Sequence, residues 1–220
     1  MNPAMHAILF DIDGTLLESD VIDGHLFEAA IRAVLGDVRL RADWNDYVHV
    51  TDAGLLREIS ADNGIVHTAE LEERVRTTFV SLIDTHIRLH GPFREIPGAR
   101  RFVEALAASP VHAVAFATGG WGATAAHKLR SAGFDLARIP LRSSDDAIRR
   151  VDIMDAALQA LGPPFESVTY FGDAGWDERA CRELGWRFQP VGHRLQGIRE
   201  YSADTVPEVW STFDVASISS

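Results

Sequence analysis

Four short apolar runs constrain this chain more than any other feature. "MHAILF" stops at Asp11, "VHAVAFA" at Thr118, "SVTYF" at Gly172 and "WRFQPV" at Gly192. Continuous apolar runs of this length read as strands buried on both faces, the habit of parallel sheets. The first three runs are each followed, directly or after an inserted segment, by a helical pattern. Strands alternating with helices predict βαβ units and a doubly wound, Rossmann-like α/β sheet. Between the first and second runs the pattern is helical only, in "HLFEAAIRAVLG", "AGLLREIS" and "TAELEERVRTTFVSLIDTHIRLH", until "GPFREIPG" breaks it. We therefore expect an α/β core formed by residues 1–17 and 92–220, with a helical insert over 18–91. A short helix and a frayed tail are expected at the C-terminus.

Composition enters by exclusion. The net charge of −11 argues against nucleic acid or an anionic membrane as partner, since both reward a basic surface. No stretch approaches the 18 or so apolar residues of a membrane span, and "MNPAMHAILF" lacks a basic leader region. One cysteine, Cys181, permits no internal disulfide, and it reads as a small buried hydrophobe. A cytoplasmic protein is expected. Lys128 is the chain's single lysine. His86 and His90 share a helix face, but without an evident third ligand they read as helix surface or core contacts rather than a zinc site.

In open α/β sheets, ligands bind at the carboxyl ends of the strands. There the first strand delivers Asp11 and Asp13, the second Thr118, Gly119 and Gly120, and a later one Asp173. Carboxylates gathered this way call for a hard cation. Magnesium suits oxygen ligands from Asp11, the Asp13 carbonyl and Asp173. An Asp11 kept ionised can attack phosphorus and form an aspartyl phosphate. Asp13 can protonate the leaving oxygen and later deprotonate water. Gly14 allows a sharp turn with exposed amides, Thr118 adds a hydroxyl donor, and Gly119 leaves its N–H open to phosphate oxygens. Arg149 and Arg150, in "DDAIRRVDIMDAAL", offer the positive charge a transferring phosphoryl group needs.

"FDIDGTLLES", "FATGG", "IRRVDI" and "FGDAGWDERACRELG" resemble, in order and spacing, the four motifs of the haloacid dehalogenase-like superfamily. The resemblance covers residues 5–17 and about 97–192, and the insert sits where this family carries a C1-type cap. It implies Asp11 as nucleophile, Asp13 as acid/base, Thr118 as phosphate ligand and Asp173 as magnesium ligand. It also implies that Asp177 holds a metal-bound water or the loop. The family's third motif usually carries lysine. Here arginine replaces it, with Arg150 preferred for its "R-x-D-I" setting and Arg149 as the alternative.

Around "HVTDAGLLREI", Thr51 and Asp52 read as a helix N-cap, or, with Arg57, as a cap loop reaching the substrate. His25, Trp121 and Trp176 divide between pocket wall and core packing. Arg32, Arg57, Arg74, Arg76 and Arg88 could recognise a second anionic group. Dehalogenases of this superfamily lack the aspartate at the second position, and its phosphonate hydrolases use a cap lysine that this chain does not have. A signalling phospho-receiver needs a lysine at a strand end, whereas Lys128 lies mid-helix. A non-catalytic binding module would be expected to have lost a carboxylate. The expectation is a magnesium-dependent phosphatase for a small phosphorylated metabolite, of the phosphoglycolate phosphatase or beta-phosphoglucomutase-like branch. A sugar-phosphate phosphomutase using the same residues is the alternative.

Overall fold

The computed structural model describes residues 5–162, 164–206 and 209. Five parallel strands, β1 (His6–Phe10), β2 (His112–Ala117), β3 (Leu141–Arg142), β4 (Ser167–Gly172) and β5 (Arg187–Pro190), form one sheet in the order β3-β2-β1-β4-β5. The first, second, fourth and fifth are the apolar runs of the sequence. The two-residue β3 carries no run of its own and borrows its place from the end of β2.

Side chains alternate across the sheet, and each face has its own cover. Ile8, Phe10, Val114, Phe116 and Phe171 join the cluster that includes Phe102, Val103 and Leu106 of α4 (Ala99–Ala108) and Leu129 of α5 (Gly122–Ser131). Ala7, Leu9, Ala115, Ala117 and Tyr170 face the other way. They meet Ile153, Met154 and Ala157 of α6 (Arg150–Leu161), with Ala180 and Cys181 of α7 (Gly175–Leu184). Burial pushes the Cys181 thiol up to about 12, so it is an inert packing group.

The segment between β1 and β2 is helical, as expected: α1 (Asp20–Leu35), α2 (Asp52–Asp62) and α3 (Ala69–His90). Thr51 and Thr68 cap α2 and α3, their hydroxyls accepting from the amides of Gly54 and Leu71. Phe27, Ile31, Val75, Phe79 and Ile83 bury the inner faces of α1 and α3 in the larger core cluster. Trp121, fully buried at the start of α5, packs edge-on against Phe27 and Phe79 with ring centroids 5.8 and 6.4 Å away. It is core rather than pocket wall. His86 stacks on Phe93 at 5.0 Å, a helix-surface contact.

Register fixes the functional edge. Phe10 pairs with Phe116 on one side and with Phe171 on the other. Asp11, Thr118 and Asp173, one or two residues further on, therefore leave the sheet at the same level. The expected C-terminal helix and tail fall at 207, 208 and 210–220, outside the described residues.

Candidate active site

Asp11 extends β1 by one residue, its N–H donating to the Phe171 carbonyl at 2.9 Å. The chain then turns at Gly14, whose φ of +73° suits glycine and where a Cβ would overlap the Asp173 carboxylate. Asp173 follows β4, and Asp177 lies in the first turn of α7, one oxygen accepting from the Ala174 amide at 3.3 Å. Asp11, Asp173 and Asp177 are all buried, and they offer ligand oxygens within 4.8 Å of one another. The Asp13 side chain is not in that group.

Arg150, the first residue of α6, enters this cluster from the side. Its Nη1 lies 3.1 Å from Asp177 Oδ1 and 3.4 Å from Asp11 Oδ1. Its guanidinium also packs over Gly119, where a Cβ would stand 2.6 Å from Nη2. Arg149 is the N-cap of that helix and points outward. It pairs with Glu183 at 2.7 Å and Asp152 at 3.4 Å, so it plays no part in the site. The alternative third-motif residue is thereby corrected: the backbone turn into α6 separates the two neighbours.

Two guanidiniums, Arg150 on Asp11 and Asp177 and the half-exposed Arg194 on Asp173, do not balance three buried carboxylates. Burial, opposed by Arg150 and reinforced by Asp13, raises the Asp11 carboxyl above its usual range, while the Ile12 amide and Thr118 hydroxyl hold it down. Burial and the neighbouring acids push Asp173 to about 8, and burial pushes Asp177 to about 7. Asp11 Oδ1 and Asp177 Oδ1 have only the ion-pair contact with Arg150 and no well-aligned hydrogen bond. A surplus of buried carboxylate oxygens with unused lone pairs is the donor set a hard divalent cation takes. Asp11, Asp173 and Asp177 fit that role, and no other such cluster occurs among the described residues.

A cavity of about 480 Å³ opens over this cluster. Asp11, Thr118, Gly119, Arg150 and Asp173 form its floor, and α1 with the start of α2 forms its roof. Thr51 lines it while donating to the Ile148 carbonyl at 2.8 Å. Asp52 beside it accepts from the Trp121 amide at 2.8 Å, and its own N–H donates to Gly119 O at 2.8 Å. The insert loop thus meets the floor, and its Thr51 caps α2 as well. Trp176 and His25 also line the cavity. Arg57 is exposed and does not line it, which corrects its assignment to substrate binding: it lies on the outer side of α2. Arg32, Arg74, Arg76 and Arg88 are absent from the lining too; Arg32, Arg76 and Arg88 pair with carboxylates of their own helices.

Sequence reasoning missed two cations here. Arg194, in the turn after β5, places Nη1 2.9 Å from Asp173 Oδ2 and Nη2 2.8 Å from Asp20 Oδ2. The strand-end rule that found the other residues applies equally to β5 and could have found it. Lys128 is fully buried, and its Nζ lies 2.6 and 2.7 Å from the two oxygens of Asp13. Its spacing from Thr124, Ala125 and Leu129 on the buried face of α5 was the available signal.

A model of the haloacid dehalogenase-like hydrolases matches residues 5–185. The chain belongs to this family. A hydrolase from Pseudomonas syringae has a similar structure, with TM-score 0.65 and 24% identity over 84% of this chain and 83% of its own. So has CbbY from Rhodobacter sphaeroides in complex with phosphate, with TM-score 0.65 and 20% identity over 90% of each chain. The HAD-hydrolase YfnB from Bacillus subtilis, bound to magnesium, gives TM-score 0.56 and 15% identity over 94% of this chain and 98% of its own. At these identities the likeness establishes the fold alone. A sequence search among curated proteins finds no match. No helix among the described residues is long and apolar enough to cross a membrane.

Proposed function

We propose that this hydrolase cleaves small phosphate monoesters through an aspartyl-phosphate intermediate, with residues 18–91 acting as the cap over the site. The observation that carries the reading is the meeting of Asp11, Asp173 and Arg150 on the floor of one cavity that Asp13 also lines, with the fully buried Asp177 within reach of the same ligand oxygens. An Asp11 oxygen attacks phosphorus as the ester P–O bond breaks, and Asp13 gives its proton to the departing alkoxide. Water then attacks the phosphoryl group, Asp13 takes the proton back, and inorganic phosphate leaves with Asp11 restored. Arg150, Thr118 and the open amide of Gly119 hold the phosphoryl oxygens in place. Gly14, expected to offer an exposed amide, instead donates it to the Leu17 carbonyl at 2.8 Å, which closes the turn. Asp11, Asp173, Asp177 and the Asp13 carbonyl would hold Mg²⁺, which would supply positive charge to offset the negative charge on the phosphoryl oxygens. Phosphate and magnesium in the CbbY and YfnB structures support this choice.

The same cavity narrows the substrate. Above the floor its wall carries Asp20, Asp23, Glu28 and Asp52. Of its remaining cations, Arg41 is held by Asp62 and Glu58, and Arg194 by Asp173 and Asp20. Among the described residues lining the cavity, no uncommitted guanidinium awaits a second phosphate, so a monophosphate with an uncharged or cationic remainder fits best. A panel of phosphorylated metabolites assayed with and without Mg²⁺ tests the reading. Phosphate release should require the ion and disappear in Asp11→Asn. Release that survives EDTA or Asp11→Asn, or turnover of a haloacid in place of every ester, rejects it.

A further inference from the structure

Lys128 is the only lysine in a chain whose other cationic side chains are all arginine, and it is 1% exposed. Its ammonium contacts both oxygens of Asp13 and, at 2.5 Å, Oδ1 of Asp23 on α1. Ser19 Oγ donates to Asp13 Oδ1 from the other side at 2.5 Å. Asp13 and Asp23 both line the cavity, while Lys128 stands behind them.

Stability is a poor explanation for this arrangement. Burying an ammonium costs several kcal/mol, and well-packed apolar side chains are often as stable in such a place. A four-carbon stem also loses about 2 kcal/mol of rotamer freedom on being fixed. What the contacts achieve is orientation. With one carboxylate gripped at both oxygens, Asp13 has a fixed place on the cavity wall beside Asp11, and through Asp23 that place is tied to the first cap helix.

We propose that Lys128, with Ser19, is the positioning residue for the acid/base Asp13: the ammonium behind the cavity wall holds the carboxylate where it can reach the leaving oxygen. This rests on the phosphatase reading above. It makes leaving-group protonation, rather than phosphate binding or nucleophilic attack, the step that depends on Lys128.

Two esters of similar size separate these steps. p-Nitrophenyl phosphate departs as a stable phenolate and needs little acid help, whereas benzyl phosphate departs as an alkoxide that must be protonated. kcat/KM, which ends at release of the leaving group, is to be compared for both esters in the wild type, Lys128→Met and Ser19→Ala, all with Mg²⁺. A positioned general acid is worth about a hundredfold or more. Lys128→Met should therefore lose about a hundredfold on benzyl phosphate and less than about threefold on p-nitrophenyl phosphate. Ser19→Ala, which leaves every charge in place, should show the same selectivity at about tenfold. It carries the test should Lys128→Met fail to fold. Equal losses on both esters, with the wild type active, overturn the positioning role and leave the phosphatase reading standing. A wild type inert toward both esters overturns the phosphatase reading, and this inference with it.

Discussion

Arg150 holds two buried carboxylates with one guanidinium, so its removal leaves Asp11 and Asp177 facing each other without a counter-charge. Breaking a buried pair from one side costs about 3–5 kcal/mol. Arg150→Met should lose stability on that scale in urea unfolding of the metal-free protein, and with it ester hydrolysis. Arg149→Ala, which removes only exposed pairs with Asp152 and Glu183, should stay within about 0.5 kcal/mol of wild type and keep full activity. Asp11→Asn retains shape but loses the attacking oxygen, so kcat should fall by about a thousandfold or more. Acid-quenched samples should then contain no phosphorylated protein. Asp11, Thr118 and Asp173 were readable as candidates because each stands at the end of an apolar run, where position in the sheet follows from position in the sequence. The choice between Arg149 and Arg150 was not, since it turns on which side chain the first turn of α6 directs inward.

Among the elements, the start of α2 links cap and core most directly. Thr51 caps the helix and donates to Ile148 in the core, and Asp52 receives the Trp121 amide at the start of α5. Thr51→Val removes the hydroxyl and keeps the shape. It should cost about 1 kcal/mol for the cap, with a further contribution from the lost Ile148 bond, read as a lowered unfolding midpoint. The strands β1, β2, β4 and β5 and the three cap helices were legible because burial on two faces or one leaves a period in the residues. The short β3 was not. Leu141 and Arg142 make a strand only because the end of β2 offers them a partner. The pairing of Lys128 with Asp13 was hidden for a similar reason. The two are 115 residues apart, and only the docking of α5 beside the loop after β1 brings them together.

At the scale of the whole molecule, the net charge of −11 is concentrated to a functional end: carboxylates converge on one cavity and outnumber the cations there. The consequence is a pH dependence whose sign can be worked out. Asp173 and Asp177 titrate near 8 and 7 in the folded protein against 3.8 as the ordinary value. Between those limits the metal-free folded state binds protons that the unfolded chain has released. Its stability therefore falls as pH rises from about 4 toward 8. Mg²⁺ competes with the same protons, so its stabilising effect should run the opposite way, small at about pH 5.5 and large at about pH 8.5. At a free ion concentration about a hundredfold above Kd, binding adds about 2.7 kcal/mol, or a rise in Tm of about 5–10 °C for a chain of this size. General screening of a highly acidic protein would also raise Tm, so the comparison must be made at matched ionic strength with NaCl. Asp173→Asn separates the two effects, since it leaves the surface charge almost untouched while removing one ligand. In that variant the Mg²⁺ shift should collapse at both pH values, and the metal-free protein should lose stability less steeply with rising pH. A Mg²⁺ shift that is larger at low pH, or one that persists undiminished in Asp173→Asn, would show that these carboxylates are not where the ion binds.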